Sequence, residues 1–197
     1  MKKALILVLF TITVSCFSQL KSTNVDFKEI QSVVKDILNL AKNKKINQIN
    51  EKYINHEFGV FDVYRLGVFD RFSLNKNLSD ATENQTNSAA GAFLSEIKNQ
   101  GVLLKYYPKY NCDTFSWNKK GLFYSDKKTT ILSQITTFLS KEEMVKYTKK
   151  EKESIAFVQK YSVRIVVTES DLVFYLTKIK GKWYISIVDR VTTSCDA

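Results

Sequence analysis

The sequence predicts an α+β fold in which helices come first and a mainly antiparallel sheet comes last. Apolar residues recur at helical spacing after residue 25, and the last third of the chain contains three runs rich in β-branched and aromatic residues. These runs are joined by Glu169-Ser170 and by Lys180-Gly181, and links this short are typical of hairpins. We therefore predict N-terminal helices packed on a curved sheet that ends in a three-stranded meander.

The N-terminus has the layout of a secretory signal. Lys2 and Lys3 precede an apolar run from Ala4 to Val14, and about eleven residues are too few to span a bilayer. We predict that residues 1–18 are a signal peptide and that the mature chain has no transmembrane span. The remaining residues, 19–197, are expected to form a single α+β roll domain, long enough to bury a core.

Two processing routes remain open at the end of the signal. Ser18 and Cys16 supply the small residues that a general signal peptidase needs, which would release a periplasmic or secreted protein. Residues 14–16 instead resemble the end of a bacterial lipobox, although Thr13 stands where that motif has Leu. In that case Cys16 would be lipidated and would anchor the protein to a membrane.

The net charge and the choice of basic residues bear on whether nucleic acid is a partner. The chain carries a net charge of +10, and basic surfaces attract phosphate. Only four of its basic residues are Arg, and the lysines are scattered among Asn, Ile and Ser, a bias typical of AT-rich genomes. We expect no nucleic-acid partner, because an exported protein seldom meets one.

The cysteine count predicts a disulfide. Removal of the signal leaves Cys112 and Cys195, an even pair in a compartment that permits disulfides. Their bond would close a loop of roughly 80 residues, contribute about 4 kcal/mol, and hold the C-terminal tail on the loop at residues 110–113. His56 is the single histidine and no CxxC occurs, so no metal site is expected.

The first half of the mature chain is predicted to hold two helices and two extended segments. Helical spacing predicts a helix over residues 25–43, with Asn24 as its N-cap, and a shorter helix before Gly59. Strand-like patterns follow at residues 60–65 and 69–74. The polar stretch over residues 75–88 has little to bury and is expected to be a loop.

The second half alternates short strands and helices before the meander. We predict strands at residues 102–107 and 121–124, and a helix around residues 131–139. Ser140-Lys141-Glu142-Glu143 matches a capping box and predicts that a fresh helix starts there. In the last part of the chain, the middle run of the meander is apolar on both faces and is predicted to be a central strand. The three runs span residues 161–168, 171–179 and 182–191.

The end of the chain carries a family resemblance. Residues 172–176, followed by Gly181-Lys182-Trp183-Tyr184-Ile185, resemble the closing hairpin of the NTF2-like (SnoaL-like, cystatin-like roll) superfamily. The resemblance covers residues 25–191 by layout and about the last thirty by motif. It implies a cone-shaped α+β roll with a pocket between the sheet and its helices, and a homodimer formed through the sheet.

A narrower resemblance points to a group of uncharacterised exported bacterial proteins. It rests on residues 64–68, on Asn111-Cys112-Asp113 with Trp117, and on the terminus at residues 195–197. This resemblance brings no activity with it.

Asp189 is the candidate acid of the implied pocket. Side chains two positions apart in a strand lie on the same face, so Asp189 should share a face with Trp183, Ile185 and Ile187. This predicts a carboxylate on an otherwise apolar face. Such a group could act as a general base with a raised pKa, as in isomerases of similar shape. The alternative, which we favour, is a structural ion pair with Arg164 or another cation.

Tyr64, Arg65 and Arg71 form the best candidate binding constellation. Guanidinium groups near aromatic rings recognise carboxylate or phosphate ligands. The alternative is that these arginines pair with Asp62 and Asp70 across the turn between the two extended segments.

No motif in the chain dictates a reaction. A nucleophile elbow, a Cys–His pair and a glycine-rich phosphate loop are all missing from the sequence. We expect a non-enzymatic exported domain without a cofactor, which binds either a small ligand in the roll pocket or a protein partner at the cell envelope. The candidate ligand residues are Tyr64, Arg65, Arg71, Arg164 and Asp189.

Two other functions stay open. One is a small pocket enzyme of the isomerase or dehydratase type, with Asp189 as its general base. The other is an immunity or inhibitor protein that blocks a partner, which would present a large exposed apolar or charged patch instead of a deep pocket.

Overall fold

The computed structural model describes residues 26–78, 88–97 and 101–195. The predicted signal peptide with both processing sites lies outside the described residues, as does most of the predicted loop over residues 75–88. The described helices are α1 (Phe27–Lys42), α2 (Ile46–Tyr53), α3 (Ala89–Leu94), α4 (Ile131–Glu142) and α5 (Lys149–Tyr161). The described strands are β1 (Val60–Leu66), β2 (Phe69–Asn75), β3 (Leu103–Lys105), β4 (Tyr110–Asn111), β5 (Ser116–Trp117), β6 (Leu122–Ser125), β7 (Ser162–Val167), β8 (Leu172–Ile179) and β9 (Lys182–Asp189).

A seven-stranded sheet organises the domain, in the order β2-β1-β9-β8-β7-β6-β3, and β4 pairs with β5 in a separate two-stranded sheet. Two neighbouring pairs of the large sheet, β1 with β9 and β3 with β6, are parallel, and the others are antiparallel. The predicted α+β class, with early helices and a C-terminal meander, is confirmed. The middle strand of that meander, β8, is also the middle strand of the sheet, as its two apolar faces predicted.

The first helix begins at a capping aspartate. The Asp26 carboxylate accepts hydrogen bonds from the backbone N–H groups of Lys28 at 3.0 Å and Glu29 at 3.4 Å. The predicted cap, Asn24, lies outside the described residues, and the helix starts after Asp26. An acidic cap at this position also suits the positive end of the helix dipole.

The predicted helix start at Ser140 is wrong. α4 continues through Ser140 to Glu142, because Ile135 and Leu139 keep their helical spacing and remain buried. The capping box is formed at α5: the Thr148 hydroxyl accepts a hydrogen bond from the backbone N–H of Glu151 at 3.2 Å. The Glu151 carboxylate accepts one in return from the backbone N–H of Thr148 at 2.7 Å.

Helices cover both faces of the sheet. On the first face, α1 and α3 contribute buried side chains such as Ile37 and Phe93 to a core that includes Phe174. On the second face, α4 and α5 contribute Ile135 and Val158 to a separate core. The rings of Phe93 and Phe174 lie 5.4 Å apart between their centroids, so side chains fill this space between the sheet and the N-terminal helices. The sequence predicted the first helical layer but not the second.

A β-bulge in β9 changes which face its last residues reach. Leu176 is opposite Ile185, whereas the preceding Tyr175 is opposite Ile187, so Ser186 is the extra residue. As a result Trp183 and Ile185 belong to the first core and Ile187 to the second. The prediction that Asp189 shares a face with Trp183 and Ile185 is therefore wrong. Asp189 shares a face of the strand only with Ile187.

Candidate functional site

The C-terminal tail is held in place by a disulfide and by a hydrogen bond to β1. Cys112 and Cys195 are bonded, with their Cα atoms 5.3 Å apart, which confirms the predicted pairing. The Arg65 guanidinium donates a hydrogen bond from Nη1 to the backbone oxygen of Ser194 at 2.7 Å. The β4–β5 hairpin, the tail and the end of β1 therefore form one connected region.

Both candidate binding arginines form ion pairs within the protein. Arg65 donates from Nε to the carboxylate of Asp70 at 2.8 Å, as the structural alternative predicted. Arg71 donates from both Nη atoms to Glu143, at 2.8 and 2.5 Å, and these bonds lower the pKa of the Glu143 carboxyl. The alternative is wrong for Asp62, which binds neither arginine.

Asp62 binds Arg190, a residue that the sequence did not single out as its partner. The carboxylate accepts hydrogen bonds from Nε and Nη2 of Arg190, both at 2.9 Å. Tyr64 contacts the same guanidinium, whose carbon lies 5.4 Å from the ring centroid. Because Tyr64 and Arg65 are consecutive in a strand, their side chains point to opposite faces. Tyr64 lies directly opposite Arg71 in the pairing of β1 with β2, so the structure brings these two together and leaves Arg65 on the other face. The predicted constellation of three residues therefore does not converge on one site.

Asp189 closes the turn that follows β9. It is buried, and its carboxylate accepts hydrogen bonds from the backbone N–H groups of Val191 at 3.1 Å and Thr192 at 2.9 Å. The Thr192 hydroxyl donates a third at 2.6 Å. Asp189 forms no ion pair with Arg164 or with any other described cation, so the structural ion pair that we favoured is wrong. Its carboxylate stabilises a turn instead. Burial and then the nearby Asp189 charge raise the pKa of the Tyr175 phenol.

Arg164 is buried against aromatic rings. Its guanidinium carbon lies 4.7 Å from the ring centroid of Tyr107 and 5.9 Å from that of Trp117. Nη1 donates to the backbone oxygen of Pro108 at 3.3 Å. Nε has no hydrogen-bond acceptor, and no carboxylate among the described residues forms an ion pair with this guanidinium. Stacking on the rings is therefore its main contact.

An open groove lies between α4 and α5, with a volume of about 560 Å³. Four hydroxyl residues of α4 line one wall at helical spacing, and lysines from both helices flank them. This groove was not predicted from the sequence, although hydroxyl residues repeat there three and four positions apart. These lining residues are Ser133, Thr136, Thr137, Ser140, Lys141 and Lys152.

Large apolar side chains are exposed at the tip of the β1–β2 hairpin and just after α4. We call them the hairpin-end surface, and their exposed fractions lie between 37 and 82 %. Single exposed apolar residues are ordinary, whereas a group of them marks a contact surface. The members of this surface are Leu66, Val68, Phe69, Met144 and Val145.

Three contacts hold the two parts of this surface together. The Phe69 ring packs on Phe138 of α4, with centroids 5.0 Å apart. The ion pair between Arg71 and Glu143 joins β2 to the end of the same helix. The segment that follows is fixed by the backbone N–H of Val145, which donates to the oxygen of Leu139 at 3.2 Å. Residues distant in sequence thus form one surface.

Residues 26–78, 88–97 and 101–195 lack two kinds of structural feature. No helix there is long and apolar enough to cross a membrane. No group of three or more potential metal ligands comes together there either.

Comparisons with models of known protein families, with curated proteins and with solved structures found no match. The NTF2-like resemblance thus stays a prediction from the sequence. Function must be argued from the geometry of the described residues.

Proposed function

We propose that this chain is an exported, non-enzymatic binding domain that acts through contact with a protein partner at the cell envelope. The observation that carries the proposal is the hairpin-end surface, which combines exposed apolar side chains of the β1–β2 hairpin and of the segment after α4, two parts joined by the contact of Phe69 with Phe138. Export is supported by the basic and apolar N-terminus and agrees with the Cys112–Cys195 disulfide.

A small ligand in the roll pocket is the less supported alternative. Phe93 and Phe174 occupy space between the sheet and the N-terminal helices, where that pocket was expected. Arg65 and Arg71 are engaged by carboxylates of the protein itself. A general base must be free to take a proton from a substrate, whereas Asp189 already accepts three hydrogen bonds within its own turn.

Strand pairing and an ion pair hold the elements beneath the hairpin-end surface in place. β1 and β2 pair without a register shift from Val60 opposite Asn75 to Leu66 opposite Phe69. Arg71 and Glu143 hold β2 to α4 through two hydrogen bonds. A surface that is already ordered loses little entropy on binding, which favours affinity.

The charges around the surface indicate the chemistry of the partner. Glu143 is neutralised by Arg71 and Glu142 pairs with Lys141, whereas Lys146 forms no ion pair with any described residue. The rim beside Met144 is therefore positive. We infer a protein partner whose contact surface is apolar at its centre and acidic at its rim, since complementary potentials guide association.

The test compares two pairs of substitutions in the exported chain. Val68→Asp with Met144→Asp places carboxylates in the hairpin-end surface. Val102→Asp with Leu104→Asp is the matched control, because these side chains are similarly exposed beside β3, at the opposite edge of the sheet. Each protein is tagged, crosslinked in the envelope of an expressing cell and analysed for proteins attached to it.

We expect a discrete crosslinked protein with the unchanged chain and with the control pair, and its loss with the Val68→Asp pair. Binding to that protein after purification should also weaken as salt rises, because the rim contacts are electrostatic. Equal crosslinking by both pairs would contradict the proposed surface. Sedimentation with vesicles of anionic phospholipid, abolished by the Val68→Asp pair, would replace the protein partner by a membrane surface.

A further inference from the structure

The α4–α5 groove is lined by groups that donate hydrogen bonds, and several of them are unused. The hydroxyls of Thr137 and Ser140 and the phenol of Tyr147 make no hydrogen bond within the described residues. Gln159 uses its side-chain oxygen to accept the backbone N–H of Ser133 at 2.8 Å, which leaves its amide N–H₂ group free to donate. These donors come from both walls of one groove.

The charge of the lining has one sign. Lys141 and Lys152 line the groove, and no carboxylate does. Lys152 forms no ion pair with a described residue, and the Glu151 next to it is occupied by the capping box with Thr148. A groove with ammonium groups, hydroxyls and no acid favours an anionic ligand.

The size and the hydroxyl lining narrow the ligand class. About 560 Å³ is much more than a bare inorganic anion fills, and it lies within the range of small-molecule sites. Serine and threonine hydroxyls both donate and accept, so they suit a ligand that itself carries hydroxyls. The Tyr147 ring adds an apolar surface at one end, where it is stacked on Phe72.

We propose that the α4–α5 groove binds an anionic saccharide of one or two sugar units. Its phosphate, sulfate or carboxylate group is held by Lys152 and by Lys141, which also pairs with Glu142 outside the lining. This inference is independent of the protein partner proposed above, because it uses a different set of residues. The hydroxyls of α4 bind the sugar, and the lysines select the charged form.

The test is calorimetric titration of the exported chain, purified with its disulfide formed. The probes are glucose 6-phosphate, glucose and inorganic phosphate. We expect glucose 6-phosphate to bind most tightly, because it alone offers both charge and hydroxyls. Lys152→Gln should weaken that binding about tenfold, the usual loss for one charged hydrogen bond.

Two further variants separate the groove from general surface charge. Lys150→Gln removes a lysine of the same helix that does not line the groove, and should leave binding unchanged. Ala156→Leu adds bulk inside the groove on an α5 position that tolerates leucine, and should abolish binding.

Four results would overturn the proposal outright, and a fifth would overturn its saccharide part. They are equal binding of glucose and glucose 6-phosphate, equal losses in Lys150→Gln and Lys152→Gln, full binding by Ala156→Leu, and no heat of binding with any probe. Binding of inorganic phosphate as tight as that of glucose 6-phosphate would likewise overturn the saccharide and leave a bare anion site.

Discussion

The Asp62 carboxylate and the Arg190 guanidinium form a two-bond ion pair at the junction of β1 and β9. Both hydrogen bonds measure 2.9 Å, and the Asp62 side chain is only 2 % exposed. The backbone N–H of Arg190 also donates to the oxygen of Val63 at 2.9 Å. This pair therefore fastens the first hairpin of the chain to its last strand, beside the parallel pairing of β1 with β9.

Asp62→Asn should destabilise the protein by about 3 kcal/mol, because it leaves the largely buried Arg190 guanidinium without its counter-charge. The matched control is Asp70→Asn, which breaks the more exposed pair with Arg65 and should cost less than about 1 kcal/mol. Urea unfolding of both variants at neutral pH gives the comparison. Similar losses of stability in the two variants would show that the Asp62–Arg190 pair stabilises the fold no more than the Asp70–Arg65 pair does.

Loss of the Cys112–Cys195 disulfide should lower the free energy of unfolding by up to about 4 kcal/mol, because the unfolded chain regains the entropy of a large loop. Cys112→Ser, Cys195→Ser and the double variant should be equally destabilised, and a reductant should affect none of them. Urea unfolding with and without reductant measures this. A reductant that leaves the unchanged protein as stable as before would contradict the prediction.

Asp189→Asn should cost less than about 1 kcal/mol, because an amide oxygen can still accept from the N–H groups of Val191 and Thr192. Asp189→Ala should cost about 2 kcal/mol, because these buried donors lose their acceptor. Thermal unfolding of the two variants measures the difference. If Asn proved as damaging as Ala, the negative charge of the carboxylate, and not only its acceptor oxygen, would stabilise the turn.

The Asp36 carboxylate should make stability depend on pH in the acid range. Its pKa is lowered chiefly by the hydrogen bond from the Tyr53 phenol at 2.6 Å, and also by Lys52. A carboxyl with a lowered folded-state pKa stabilises the fold above its unfolded pKa of about 3.9, and this contribution is lost as the pH falls through the folded value.

The difference in free energy of unfolding between the unchanged protein and Asp36→Asn should thus be constant from about pH 7 to pH 5 and should shrink below about pH 4. Tyr53→Phe should reduce the pH-dependent part, since it removes the largest cause of the lowered pKa. Unfolding curves across this pH range test both statements. A difference that grows as the pH falls would have the wrong sign.

Much of the fold could be predicted because its signals are local. The meander of β7, β8 and β9 follows from runs of β-forming residues with short links, and α1 follows from apolar residues at helical spacing. The prediction of a capping box at Ser140 was wrong because packing outweighed the local signal. Ser140 and Glu143 have the right spacing, but the burial of Leu139 continues the helix through Ser140 to Glu142.

The candidate site was less accessible to sequence reasoning. Alternation placed Asp189 with Trp183 and Ile185, and one extra residue, Ser186, reversed that parity in the folded strand. The partner of Asp62 lies 128 positions away, so no local pattern pointed to Arg190. The hairpin-end surface likewise combines the β1–β2 hairpin with the segment after α4, and these two parts meet only because Phe69 packs on Phe138 of α4.

The sequence by itself determined the α+β class, the meander and the cysteine pair, and it predicts the export signal. Each of these depends on composition or on spacing within a short stretch. The tertiary structure alone decided the second helical layer, the bulge, the ion-pair partners and both candidate surfaces. These depend on contacts between segments far apart in the chain, and such contacts are selected by the packing of the whole domain.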